Sequence, residues 1–156
     1  MRRQPRSAYY VSTEGAEQTA MQIGMAWLAQ ASQPGQITEA WIVLPARVSL
    51  LSVSEGAMER PMAIALDSNI TLAFSNNVPL KRFTEQTLPY VAAQVNILVA
   101  FPTAKLLERL DSLVGVNSIA LATDSLDTFR SWIEKWGALP IRVQPKPEAD
   151  ADVEVS

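Results

Sequence analysis

The chain has 156 residues, with 13 Lys or Arg against 16 Asp or Glu for a net charge of −3, and it contains neither Cys nor His. Those two absences exclude a thiol nucleophile, a Ser-His-Asp triad, a Cys/His zinc site, an iron–sulfur cluster and an HExxH protease within this chain. The mild acidity argues against a nucleic-acid partner, because nucleic-acid binders present a basic face.

The start, Met1-Arg2-Arg3-Gln4-Pro5-Arg6, is basic but no apolar core follows it, so no export signal is expected and the expected compartment is the cytoplasm. Residues 1–7 read as a basic tail. Ala8-Tyr9-Tyr10-Val11 reads as a short strand, with the two Tyr packing on helices. From Gly15 to Ala31 the period turns helical, because Ala20, Ile23, Gly24, Trp27, Leu28 and Ala31 form one stripe. Ser32-Gln33-Pro34-Gly35 breaks that helix, and Ala40 to Leu44 is a second apolar run closed by Pro45.

Residues 46–66 fit either helix or strand. Met62 to Leu66 and Ile70 to Phe74 flank Asp67-Ser68-Asn69, which reads as a hairpin turn or as a helix to about Asp67 followed by one strand. A helix over Leu80–Ala93, kinked or split at Pro89, is expected next. Asn96 to Phe101 is a strand. Thr103 to Leu113 is a helix with Leu106, Leu107, Leu110 and Leu113 on one face. Ser118 to Ala122 is a strand, and Asp124 to Trp136 a helix ended by Gly137. Trp27 and Trp136 fit core stripes, whereas Trp132 falls beside its stripe and suits a rim or partner surface. Ile141 to Val143 is a last edge strand. Residues 144–156 carry Pro145, Pro147 and four acids, and read as a disordered acidic tail after a single domain spanning 8–143.

Strands without a polar face that alternate with amphipathic helices predict a three-layer, doubly wound, Rossmann-like α/β domain with a mostly parallel sheet of five or six strands. No apolar run reaches the ~18 residues of a membrane span, so no membrane partner is expected. In such sheets ligands bind outside the carboxyl ends of the strands. That rule selects four loops: Ser12-Thr13-Glu14-Gly15, Ser75-Asn76-Asn77, Pro102-Thr103-Ala104-Lys105 and Thr123-Asp124-Ser125.

Small polar residues there serve as helix caps, but they also suit an anion held by backbone N–H groups. Ser12, Thr13, Gly15, Thr103 and Lys105 are the candidate cradle, with Glu14 as a base or ribose ligand. Lys105 sits in the first turn of its helix, against the dipole, at a cost of ~0.3–1 kcal/mol. The set favours a non-catalytic binding module for a small anionic ligand, a nucleotide being one candidate, or for a protein partner, and the cofactor is left open. A further alternative is a structural or accessory subunit that pairs through an apolar helix face and the acidic tail, a homo-oligomer being one such form.

Glu14-Gly15 after a first strand, with Ile119-Ala120-Leu121-Ala122-Thr123-Asp124 later, resembles the Toprim domain of topoisomerases and primases. The resemblance implies magnesium held by Glu14, Asp124 and Asp127, and phosphoryl-transfer or nuclease activity. The family's second motif is DxD, whereas here the acids are spaced DxxD, and more strands intervene than a compact Toprim core contains.

Overall fold

The computed structural model describes residues 6–142. Seven strands form one sheet: β1 (Ser7–Val11), β2 (Glu39–Leu44), β3 (Leu72–Ala73), β4 (Pro79–Thr84), β5 (Val91–Ala100), β6 (Val114–Ala122) and β7 (Leu139–Ile141). Their order across the sheet is β3-β4-β2-β5-β6-β1-β7, and every pairing is parallel except β3 with β4. The helices are α1 (Ala20–Ala31), α2 (Leu50–Val53), α3 (Arg60–Asp67), α4 (Ala104–Asp111) and α5 (Arg130–Trp136), the last preceded by a 3-10 turn over Leu126–Phe129.

Helices cover both faces, so the expected three-layer Rossmann-like arrangement is the one adopted. Ile42, Leu44, Leu98 and Ala120 pack towards α1–α3, and their neighbours Trp41, Val43, Ile97 and Ile119 pack towards α4 and α5. Burial of alternate residues on opposite faces is what writes the central strands as unbroken apolar runs. Each fully buried Leu or Ile contributes ~1.5–3 kcal/mol relative to an exposed one.

The helix expected over Leu80–Ala93 is absent, and β4 is one reason the sheet has seven strands rather than five or six. Leu80 enters the α1–α3 core, while Phe83 packs on Trp41 across the other face with ring centroids 4.6 Å apart. The two cations of β4, Lys81 and Arg82, are both paired. Lys81 Nζ lies 2.6 Å from Glu39 Oε2, and Arg82 Nε lies 3.3 Å from Asp67 Oδ1. Pro89 falls in the connection to β5, and Leu88 beside it is buried under α4 and α5.

Between 46 and 74 the chain makes α2, α3 and the two-residue β3, so the helix-then-strand alternative holds. Asp67 is no hairpin residue. It ends α3 and accepts hydrogen bonds from the N–H groups of Leu50 and Leu51 at 2.8 and 3.0 Å, capping α2. α1 starts at Ala20 rather than Gly15 because Thr19 and Gln22 form a reciprocal capping box.

Arg6 and Ser7, expected in a basic tail, belong to the folded layers. Ser7 opens β1, and the Arg6 guanidinium donates to the carbonyls of Leu110, Asp111 and Leu113 at the end of α4 (3.1, 3.3 and 2.9 Å) while stacking on Trp136. Trp132, expected at a rim, is buried and donates Nε1–H to Asp111 Oδ1 at 3.0 Å. The expectations for residues 1–5 and 143–156, including Val143 in the last strand, lie outside the described residues.

Candidate functional site

The carboxyl ends of β1, β5 and β6 open into a crevice of about 620 Å³. Thr13, Gln18 and Thr19 line it from the loop between β1 and α1, and Ala20 and Met21 from the first turn of α1. Val53 and Glu55 come from the end of α2, Phe101 follows β5, and Asp124 follows β6. The helix after β1 crosses one face of the sheet and the helix after β5 the other, so the loops part here. That divergence is the physical origin of ligand crevices in doubly wound sheets.

The backbone at the mouth is unusual. Phe101 has φ 48° although it is bulky and precedes Pro102, and residues before proline prefer extended backbone. Its N–H donates to Ala122 O at 2.7 Å, which fixes the end of β5 against β6. Strain of this kind costs ~1–3 kcal/mol and persists only where surrounding structure enforces it.

At α1 the capping box occupies the N–H of Gln22, while the Ala20 and Met21 N–H groups have no acceptor among the described residues. They are two donors at the positive end of a helix dipole. The charged groups that line the crevice are Glu55 and Asp124, and no Lys or Arg does. Two unit charges ~4 Å apart interact by ~1 kcal/mol in water and by more in a partly dry site, so the two acids disfavour an anion and favour hydroxyl or amino groups.

The sequence candidates are only partly brought together. Thr13 and Asp124 meet in the crevice. Ser12 is buried, and its N–H donates to Ile141 O at 2.9 Å, tying β1 to β7. Glu14 and Gly15 form an exposed turn closed by the Ala16 N–H on Thr13 O, with Gly15 at φ 72°. The cradle predicted from Thr103 and Lys105 does not assemble with them, because α4 lies on the opposite face from α1. Thr103 caps α4 through the Leu106 N–H at 3.1 Å and lines a separate groove of about 440 Å³ between α4 and α5. Lys105 is exposed and lines neither cavity. The turn containing Asn76 sits at the amino end of the sheet, because β3 runs antiparallel.

Glu14, Asp124 and Asp127 do not form a metal-holding cluster. Among the described residues no group of three acids stands close enough to hold an ion, and Asp127 instead pairs with Arg130 at 2.5 Å. No described helix is long and apolar enough to cross a membrane. The crevice residues that the sequence does not single out as site residues are Gln18, Thr19, Ala20, Met21, Val53, Glu55 and Phe101. Glu55 belongs to the stretch whose helix or strand character was open, and nothing in Phe101-Pro102 signals a positive φ.

No protein-family model matches the chain, and no curated protein does. Among solved structures, a chain in the crystal structure of the E. coli DEAD-box protein SrmB bound to regulator of ribonuclease activity A (RraA) is similar over 94% of this chain and 94% of that chain. The identity is 14% and the TM-score 0.44. At that level the neighbour carries no argument, and the fold rests on the topology above.

Proposed function

We propose that this chain is a binding module that holds a small polar ligand in the carboxyl-edge crevice. The ligand presents hydroxyl or amino groups to Glu55 and Asp124, and a carbonyl or hydroxyl oxygen to the Ala20 and Met21 N–H groups. The observation that carries this reading is the lining itself: loops after three parallel strands converge on a cavity that holds two carboxylates and no cation. Its volume, about 620 Å³, falls within the range of ~300–1,000 Å³ common for small-molecule sites.

The test is a thermal-shift panel at millimolar concentration with sugars, amino-acid amides, diamines and mononucleotides, on the wild type and on the Glu55→Gln/Asp124→Asn variant. A ligand present at 100 times its Kd stabilises by ~2.7 kcal/mol, which moves a domain's Tm visibly. The expected result is a shift with a hydroxyl- or amino-bearing compound that the variant loses. A shift confined to mononucleotides, or one the variant keeps, overturns the reading.

A further inference from the structure

A cleft of about 460 Å³ lies between α1 and β7, the strand at one edge of the sheet. Ile23, Ala26, Trp27 and Gln30 line it from α1, at the i, i+3, i+4 and i+7 spacing that sets four side chains on one helix face. Ile141, the last residue of β7, and Arg142 after it line it from the sheet. It is separate from the carboxyl-edge crevice, with which it shares only Gln18.

The polar groups here are mostly uncommitted. Gln22 is the exception, since its Oε1 accepts from the Thr19 N–H at 2.8 Å and its Nε2 donates to Gly56 O at 2.9 Å. The side-chain amides of Gln18 and Gln30, the indole N–H of Trp27 and the guanidinium of Arg142 make no hydrogen bond among the described residues, and Arg142 has no ion pair among them. The indole itself is held in place: it is half-buried, and the Tyr9 ring packs on it with centroids 5.7 Å apart.

The charge pattern is the reverse of the crevice. Arg142 is the one charged residue among those that line the cleft, whereas Glu55 and Asp124 line the crevice. A guanidinium presents its N–H donors in a planar fork that matches the two oxygens of a carboxylate. One monocation balances one monoanion, and a phosphate dianion would keep a charge uncompensated. The rest of the lining, Ile23, Ala26, Ile141 and the rings of Trp27, is apolar and suits a flat hydrocarbon body. Aromatic rings pair favourably at centroid separations of ~4.5–7 Å.

We propose that this cleft is a second ligand site, for a small aromatic carboxylate, with the carboxylate on Arg142 and the ring beside Trp27. The amides of Gln18 and Gln30 hydrogen-bond polar substituents of the ring. The inference does not rest on the crevice reading, since neither Glu55 nor Asp124 lines this cleft.

The test follows the indole 15N–H peaks of the full chain during titration with benzoate, the Trp27 peak being identified by its disappearance in Trp27→Phe. The expected result is a saturable shift of that peak at millimolar benzoate. Benzamide, which keeps the ring without the charge, and acetate, which keeps the charge without the ring, should each bind about tenfold more weakly or worse. Arg142→Gln should weaken benzoate by a similar factor, and Arg142→Lys should recover only part of it. Arg142 is exposed, so the indole peaks of Trp41, Trp132 and Trp136 should stay in place in both variants; if they move, the benzoate–benzamide comparison on the wild type decides. The Glu55→Gln/Asp124→Asn variant should bind benzoate as the wild type does, which separates this outcome from failure of the crevice reading. An absent or unsaturable shift, equal affinity for benzamide, or benzoate binding lost in the Glu55→Gln/Asp124→Asn variant overturns the proposal. So does benzoate binding that survives Arg142→Gln intact. Equal affinity for acetate or inorganic phosphate overturns it in favour of a plain anion site.

Discussion

The two ends of the parallel strands are built in opposite ways. At the amino end, polar groups are buried and spoken for. Asn96 is fully buried in β5. Its Nδ2 donates to Ala31 O and Ser32 Oγ, while its Oδ1 accepts from Asn117 Nδ2 and Ser118 Oγ. Asn76 Nδ2 donates to Ser32 O at 2.9 Å, closing the end of α1. At the carboxyl end the polar groups of the crevice line open space, and the backbone at Phe101 is strained. One end therefore holds the fold together, and the other is free to be shaped by a ligand. Substitutions at the amino end should move stability, and substitutions at the carboxyl end should move binding.

The largest effect is expected at Gly115, on the amino half of β6. It has φ 91°, and a Cβ there would lie 1.9 Å from the carbonyl oxygen of Ala92. That carbonyl belongs to the irregular start of β5, where the pairing with β6 shifts register and Gln94 takes φ 59°. The obstruction is backbone, so no rotamer relieves it. Gly115→Ala should cost ~3 kcal/mol or more, read as a fall in soluble yield and in the urea midpoint. A midpoint equal to wild type would mean that the amino end is not rigid.

Asn96→Ala comes next. It deletes both ends of the network and leaves Ser32 and Ser118, each nearly inaccessible, with fewer partners. Unsatisfied buried polar groups cost ~1–3 kcal/mol apiece, so a loss of ~2–4 kcal/mol is expected in urea titration. Arg6→Ala should cost ~1–2 kcal/mol, because a cation at a helix C-terminus, its carbonyl hydrogen bonds and the stacking on Trp136 are lost together. Arg6→Lys should recover only part of this, since an ammonium lacks the planar fork.

Glu39 gives the amino end a pH signature. Burial raises its carboxyl pKa, but hydrogen bonds from Lys81 and Trp41 and the Lys81 charge outweigh this and hold it below the ordinary 4.5. A carboxyl lowered on folding contributes stability at pH values above its unfolded pKa, and that contribution disappears as pH falls through the folded one. Its side chain is about a quarter exposed (26%), so the pair is worth ~1 kcal/mol at most. Glu39→Gln should lower neutral-pH stability slightly and flatten its decline below pH 4.5. An unchanged acid limb in chemical denaturation would remove Glu39 from the account.

The same contrast explains what was legible in the sequence. The central strands were readable because burial on both faces leaves runs such as Ala40–Leu44. β4 was not, because its Lys81 and Arg82 find Glu39 and Asp67 only in the folded sheet. The loops after β1, β5 and β6 lie at the carboxyl end simply because each follows a parallel strand. Their company was not legible, since which face α4 takes decides whether Thr103 joins Thr13, and one sequence does not encode that face locally. Phe101 left no trace, because a positive φ before proline contradicts local preference and is imposed by tertiary structure.

The smallest stability effect is expected where the largest binding effect is. Asp124 is exposed, follows β6 and lines the same crevice as Glu55. Asp124→Asn preserves its shape and removes one of the two charges that repel an anion and attract a cation. Away from buried features such a change alters stability by no more than ~0.5 kcal/mol, so its urea midpoint should match wild type while Asn96→Ala falls far below. Binding should show the reverse: a crevice ligand is lost or weakened by Asp124→Asn and retained by Arg6→Ala at temperatures where that variant stays folded. If Asp124→Asn destabilises as much as Arg6→Ala, the carboxyl end is part of the scaffold and the division between the two ends of the sheet fails.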